Sequence, residues 1–329
     1  VSRINEAGLN VNQYGNRNLI INGAMQVAQR GTSFNQPADG AYTLDRFAVF
    51  RNGAGIVDVD QSTTVPTGQG FKNSFKCTVD TADSSLGSTD FGGFLTKIEG
   101  QDLKRFEFGN SSAKKFALSF WARSSITGTY SVAFRNSAAN RYLVKEYTIS
   151  SADTWQHITI TDTADVTGTW TTDATTGLDL RWCLWEGGFS AAADTWGAGN
   201  IVGSSSNVNW AATAGNTFYI TGVQLEVGDT ATDFEHRTFA DELQRCYRYF
   251  QGRFRTGVYE EGASTARYFS WILPVPMRAT PSATRLGNSI SSREASGTVN
   301  MVPQNTTDGY IYHSTDYAVG GEYSLAAEL

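Results

Sequence analysis

The stretch 218–251, FYITGVQLEVGDTATDFEHRTFADELQRCYRYFQ, constrains the fold most, because its hydrophobic period changes partway along. Up to Val227 the period is two. Tyr219, Thr221, Val223, Leu225 and Val227 fall on one face, Gln224 and Glu226 on the other, the pattern of a half-buried strand that Gly228 and Asp229 stop. Beyond a short connector, Phe239, Leu243, Cys246, Tyr247 and Phe250 recur at helical spacing, which predicts a helix over 238–251 with one apolar stripe. Thr238 with Asp241 reads as an N-cap and its acidic partner. Asp241 and Glu242 then sit at the positive end of the helix, Arg245 and Arg248 nearer the negative end, and Gly252 can take the left-handed closing position. The helix therefore joins two β units.

Before it, short alternating segments are broken by turn clusters. Residues 46–50 lead into 56–59 across Asn52-Gly53, and 74–79 and 91–108 follow. In 114–125, Phe116, Leu118 and Phe120 share one face and Trp121 takes the other; Tyr130, Val132 and Phe134 alternate likewise. After 155–161, Leu178, Leu180, Trp182 and Leu184 alternate strictly. About nine or ten strands without a long helix predict an all-β, antiparallel jelly-roll sandwich over 18–228. No period of propeller or solenoid length repeats. Residues 229–251 form the connector and helix, and 252–329 a small C-terminal β domain. In that domain Pro274, Pro276 and Pro281 restrict their segment to an edge strand or a surface path. Tyr323, Leu325, Ala327 and Leu329 alternate to the last residue, which suggests a C-terminus paired into a sheet. So thin a core needs oligomerisation to complete its burial. The helix stripe of Phe239, Leu243, Tyr247 and Phe250 is the candidate oligomerisation surface, and a homotrimer the expected assembly. Residues 1–17 have apolar anchors at Ile4, Leu9, Val11 and Tyr14, which favours an extended arm ordered against a neighbour over a solvated leader.

Composition excludes several classes. A net charge of −6 with scattered Lys and Arg argues against nucleic acid. No apolar run approaches the roughly 20 residues of a membrane span, and no signal peptide precedes the first strand. Cys77, Cys183 and Cys246, an odd number without clustering, read as buried reduced thiols.

Catalytic motifs are missing: there is no G-x-S-x-G elbow, H-E-x-x-H or P-loop. His157 reads as a packed strand residue and His236 as an anchor of the connector. Glu186, Asp173, Asp179 and Asp194 share one region, but their spacing marks no hydrolytic pair. Asp162, Asp165 and Asp173 border a Thr-rich loop that could hold calcium, yet the spaced-acid pattern is absent, so solvated turn acids are the better reading and no metal or cofactor is expected. Aromatics are the sharper signal. Trp196 and Trp210, with Asn209, lie in the Gly/Ser/Asn-rich loop 187–213, a setting suited to stacking on a sugar ring and reading its hydroxyls; the alternative is that these Trp rings plug the sandwich end. Tyr310 and Tyr312 in the Tyr-rich C-terminal unit are the rival contact surface.

VQLEVGDTATDFEHRTFADELQRCYRYFQ resembles the end of the jelly-roll domain in bacteriophage tail-fibre and related virion appendage proteins, where a "QLE-G-ATPFE-R" strand end leads into an "EL-C-RYY" helix. NLIINGAMQVAQRGTSF followed by YTLDRF is similar to the same family's opening, "N-NG-F-WQRG-S" then "YT-DRW". The resemblance covers 18–251, departing at Ala28 and Phe47, where the family often has Trp, and at Asp233, where Pro is usual. It implies a carbohydrate-binding-module-like jelly roll in a virion structural protein, made in the host cytoplasm. Such a protein would meet other virion proteins through its N-terminal arm and a host-surface glycan or protein elsewhere, binding without cleaving. It also leans towards a structural role for Trp196, since a comparable W-x-x-G-N loop recurs there. A depolymerase or sugar-binding module, and a capsid-decorating protein of the same fold, are the alternative readings.

Overall fold

The computed structural model describes residues 16–258, 267–287, 299–303, 306–313 and 319–329, so the expected arm, with Ile4, Leu9, Val11 and Tyr14, lies outside the described residues. The chain divides into two units, Val1–Thr238 and Phe239–Leu329.

The first unit is an antiparallel jelly-roll sandwich of two six-stranded sheets. One sheet runs, in spatial order, β1 (Ser33–Phe34), β3 (Ile56–Ser62), β4 (Ser74–Thr81), β14 (Thr217–Val227), β6 (Lys115–Ser124) and β9 (Gln156–Thr163). The other runs β12 (Gly197–Ala198), β8 (Arg141–Ile149), β7 (Gly128–Asn136), β10 (Thr176–Glu186), β5 (Phe91–Glu99) and β2 (Ala48–Asn52). Two-residue strands β11 (Ser190–Ala191) and β13 (Gly203–Ser204) form a small parallel pair. The Asn52-Gly53 turn is a crossover between sheets, since β2 and β3 pair in different ones. After β5, a 3₁₀ helix spans Gly100–Phe106, so the segment 91–108 is not strand throughout. Between the sheets the alternating residues interdigitate: Trp182 lies fully buried, stacked on Phe94 at 5.4 Å and edge-on to Phe120 at 5.8 Å.

The closing strand departs from its expected pattern in two ways. A register shift between Thr221 and Gln224 marks a bulge, with Gly222 at φ +63°. An extra residue flips the faces of a strand. Phe218 and Ile220 therefore point into the core before the bulge and Val223 and Leu225 after it, whereas Tyr219 and Thr221 do not share their face. The strand is also buried on both sides. It lies between β4 and β6, and residues 229–237 fold back over its outer face, so Gln224 and Glu226 are 0% and 1% exposed. The Gln224 amide donates to the Thr232 and Asp233 carbonyls, and Glu226 accepts from the Thr232 amide and hydroxyl.

In the second unit, α1 spans Phe239–Tyr247, shorter than the sequence predicts. Phe250 already belongs to β15 (Phe250–Val258) and is buried there, which removes it from the proposed helix stripe. Strand pairing across 250–258 outcompetes helix propensity at the junction. On α1, Phe239 is exposed, Leu243 and Tyr247 are half-buried, and Cys246 and Glu242 face inward. Two three-stranded sheets follow. β15, β20 (Val319–Ala326) and β17 (Ser282–Gly287) form one; β16 (Arg267–Ile272), β19 (Asp308–His313) and β18 (Val299–Pro303) form the other. Pro274, Pro276 and Pro281 lie between β16 and β17, on a path outside any strand. Among the described residues, Leu273, Met277, Tyr323, Leu325 and Ala327 form a buried cluster. Past β20, the Ala327 amide donates to the Tyr249 carbonyl, and Arg278 donates to the carbonyls of Ala327 and Glu328.

Candidate functional site

The sequence-predicted contact residues do not converge. Trp210 is fully buried in a short 3₁₀ turn, Trp210–Ala212; its ring stacks on Trp185 at 6.2 Å and its Nε1–H donates to the Thr217 carbonyl. A ring with no exposed face cannot receive a sugar, so Trp210 is a core residue. Asn209 is half-buried and gives its side-chain amide to the Asp83 carbonyl at 2.8 Å. Trp196 is half-buried, wedged edge-on against Phe108 and Trp170, and its Nε1–H donates to the Thr163 carbonyl at 2.8 Å. Tyr310 and Tyr312 occupy the central strand β19, opposite Ser270 and Tyr268 of β16; their side chains lie outside the described residues.

Most of the acids weighed for hydrolysis or calcium are engaged by neighbouring side chains or backbone. Asp179 binds the Arg181 guanidinium at 2.8 and 2.9 Å, and Asp194 pairs with Lys145. Lys145 also reaches Asp162 at 3.0 Å. Asp173 accepts from the Thr175 amide and hydroxyl. Asp165 accepts both Arg141 nitrogens, at 2.6 and 2.8 Å. Burial pushes the Asp165 carboxyl up, but Arg141 and Thr167 outweigh it and hold it below the usual range. Glu186 is raised by burial, against hydrogen bonds from Ser190, Gly188 and Phe189. Among the described residues no group of three His, Cys, Asp or Glu could hold a metal ion.

A cleft lies elsewhere on the sandwich, on the outer face of the β14 sheet, with a volume of about 370 Å³. The floor comes from strand alternation. Trp121 on β6 points away from the core, and register places it opposite His157 of β9 and Thr221 of β14. The Trp121 and His157 rings lie 5.0 Å apart, tilted by 38° to one another. Ser119, two residues before Trp121, adds a hydroxyl on the same face. The wall comes from two loops. Phe71, Phe234 and His236 pack mutually at 4.9–5.1 Å, and His236 Nε2 lies 3.1 Å from the Gln69 carbonyl. The bulge makes this wall possible: a Cβ on Gly222 would stand 2.5 Å from the Phe71 ring. Gln69, Thr232 and Asp233 complete the lining with polar groups. Burial lowers the His157 pKa, opposed by the charge of Asp233, so the imidazole is neutral at neutral pH. An aromatic floor with amide, hydroxyl and carboxylate groups at its edge suits a ligand with one apolar face and a polar perimeter.

Sequence reasoning put Trp121 on the outward face but read His157 as packing and His236 as an anchor. The available signal was the outward aromatic on each of two strands. Nothing in the sequence showed that 68–71 and 231–236 would meet above them.

The two segments that carry the family resemblance also meet, at a different place. Asn18 donates to the Val223 carbonyl and its Oδ1 accepts from the Ile20 and Leu225 amides; a Cβ on Gly23 would lie 2.1 Å from the Val223 oxygen. Glu235 accepts from the Asn16 and Asn18 amides at 2.7 and 2.9 Å, and Arg237 donates to the carbonyls of Ile20 and Asn18. These motif residues are the two halves of one seam, and their role is structural.

The fold is thus that of an all-β, jelly-roll sandwich protein. Solved structures similar to it include the enzymatically active domain of tailspike protein 4 of bacteriophage CBA120, at 16% identity and TM-score 0.33, covering 59% of this chain and 22% of that one. The family 11 carbohydrate-binding module of a Clostridium thermocellum cellulosomal cellulase matches at 12% identity and TM-score 0.31, over 62% of this chain and 98% of that one. A family 61 carbohydrate-binding module in complex with β-1,4-galactotriose matches at 11% identity and TM-score 0.32, over 64% of this chain and 99% of that one. The chain thus spans about a fifth of the tailspike's length. No family model and no curated protein matches the chain.

Proposed function

We propose that this protein is a non-catalytic appendage of a bacteriophage particle that attaches to the host surface by holding a glycan in the Trp121/His157 cleft. The observation that carries the reading is the cleft itself: a two-ring floor with a polar edge and one carboxylate, Asp233, among its lining residues. Hydrolysis by the usual route needs two carboxylates flanking the bond, so one supports binding over cleavage. The resemblance of 18–251 to tail-fibre proteins supplies the virion setting, with residues 1–17 as the arm that docks on other virion proteins. A single aromatic contact contributes only about 0.5–1.5 kcal/mol, so one cleft binds weakly. Several copies held together raise avidity by roughly 10²–10⁴, which favours a closed homo-oligomer, in this reading a trimer. Phe239, Leu243 and Tyr247 of α1 are its proposed contact surface.

The test is adsorption of particles carrying Trp121→Ala, with reducing-sugar release from host polysaccharide measured in parallel. Lost adsorption at unchanged particle assembly, with no sugar released by the parent, is expected. Release of sugar by the parent protein replaces this reading with a depolymerase. Sedimentation of the chain at micromolar concentration checks the assembly, and a stable monomer refutes it.

A further inference from the structure

The charge inside the cleft narrows the ligand further. Of its lining residues Asp233 is the one carboxylate, and neither Lys nor Arg is among them. Arg17 lies 3.7 Å from Glu226 and gives a nitrogen to the Asp233 backbone carbonyl, and Arg123 pairs with Asp153 at 3.0 Å. The Asp233 backbone is pinned by Gln224 and Arg17, while the residue itself is exposed in the lining of the cleft. A ligand therefore meets aromatic faces, whose quadrupoles attract cations, beside one carboxylate with no ion-pair partner among the described residues. A carboxylate or phosphate on the ligand would meet like charge and only neutral or edge-on aromatic groups in return.

Resting on the glycan reading above, we infer that the cleft selects an amino sugar, with the ring of the glycan on the Trp121/His157 floor and its free ammonium group beside Asp233. Acidic sugars are disfavoured by the same carboxylate, and N-acetylation removes the charge that Asp233 reads. The volume of about 370 Å³ is at the small end of ligand sites, about 300–1,000 Å³, and suits a short segment of glycan.

The full chain is titrated calorimetrically at about pH 5.5, where the sugar amines are protonated and carboxylates ionised, with a chitosan tetrasaccharide, its N-acetylated counterpart, a galacturonate tetrasaccharide and choline chloride. The chitosan tetrasaccharide is expected to bind about fivefold more tightly than the N-acetylated one, the span of an exposed charge pair, with galacturonate weakest. Asp233→Asn should erase that order without abolishing binding, and Trp121→Ala should abolish binding of all three sugars. Sugars that bind with no preference for the free amine, or an order unchanged in Asp233→Asn, overturn this inference and leave the glycan reading standing. Choline binding as tight as the amino sugar overturns the role given to the ring, because the ammonium group alone would then suffice. No binding of any sugar overturns the glycan reading itself.

Discussion

Trp210→Ala separates packing from recognition. The side chain is fully buried, and an aromatic of this size removes about 150–250 Å² from water. At about 25 cal/mol per Å² that is worth roughly 4–6 kcal/mol, and measured losses for Trp or Phe to Ala in cores are about 3–5 kcal/mol. Loss of the 3.3 Å bond to the Thr217 carbonyl adds about 0.5–1 kcal/mol. We therefore expect a loss near 4 kcal/mol. For a unit of this size one kcal/mol moves Tm by about 2–4 °C, so the melting transition should fall by roughly 8–16 °C. Trp121→Ala, on the outer face, should lower Tm by no more than about 4 °C. Scanning calorimetry and glycan titration on both variants provide the contrast. The reasoning fails if Trp210→Ala melts within about 2 °C of the parent. It fails equally if that variant loses sugar affinity at unchanged Tm, because the ring would then be a contact surface.

Gly222→Ala places a Cβ 2.5 Å from the Phe71 ring at a positive φ, so it should displace the cleft wall and weaken ligand binding while costing about 1–3 kcal/mol of stability; a variant matching the parent in both refutes the close approach. Burial raises the Glu235 carboxyl, but the Asn18 amide, Arg237 and the Asn16 amide outweigh it and hold the pKa below the ordinary value. With the folded value below the unfolded one, near 4.3, the seam's contribution is complete above that range and lost as pH falls through the lower folded value; protection of the Asn16 and Asn18 amides, taken relative to the intrinsic exchange rate, should fall there and hold near neutrality. Cys77 and Cys183 are fully buried and their thiols pushed far up by that burial, so they should resist alkylation until unfolding; labelling of the native protein at either position contradicts the packing.

Where the sequence was legible, one residue's neighbours along the chain decided its place. Phe116, Leu118 and Phe120 face the core because alternation leaves them no other choice, and Trp182 follows the same rule. The closing strand was misread because a single extra residue at Gly222 reverses every face beyond it, and a bulge leaves only a glycine as its trace. Trp210 and Trp121 show the larger difficulty. The tryptophan in the glycine-rich loop is buried, whereas the one in a regular strand lines the cleft, because exposure depends on which loops fold across a face. The cleft draws on 68–71, β6, β9, β14 and 231–236, segments far apart in sequence whose meeting only the fold determines.

The seam at Asn16–Glu235 also has a mechanical meaning. The chain enters the sandwich at Asn16 and leaves it at Thr238, and the two crossings are tied by Glu235 and Arg237 within a few ångströms. Tension applied between the preceding segment and the following unit would run through that short tie and the Leu19–Leu225 backbone bond. It would bypass the strands of the two large sheets other than β14. Within the first unit, most of the sheet area therefore lies off the shortest path between Asn16 and Thr238.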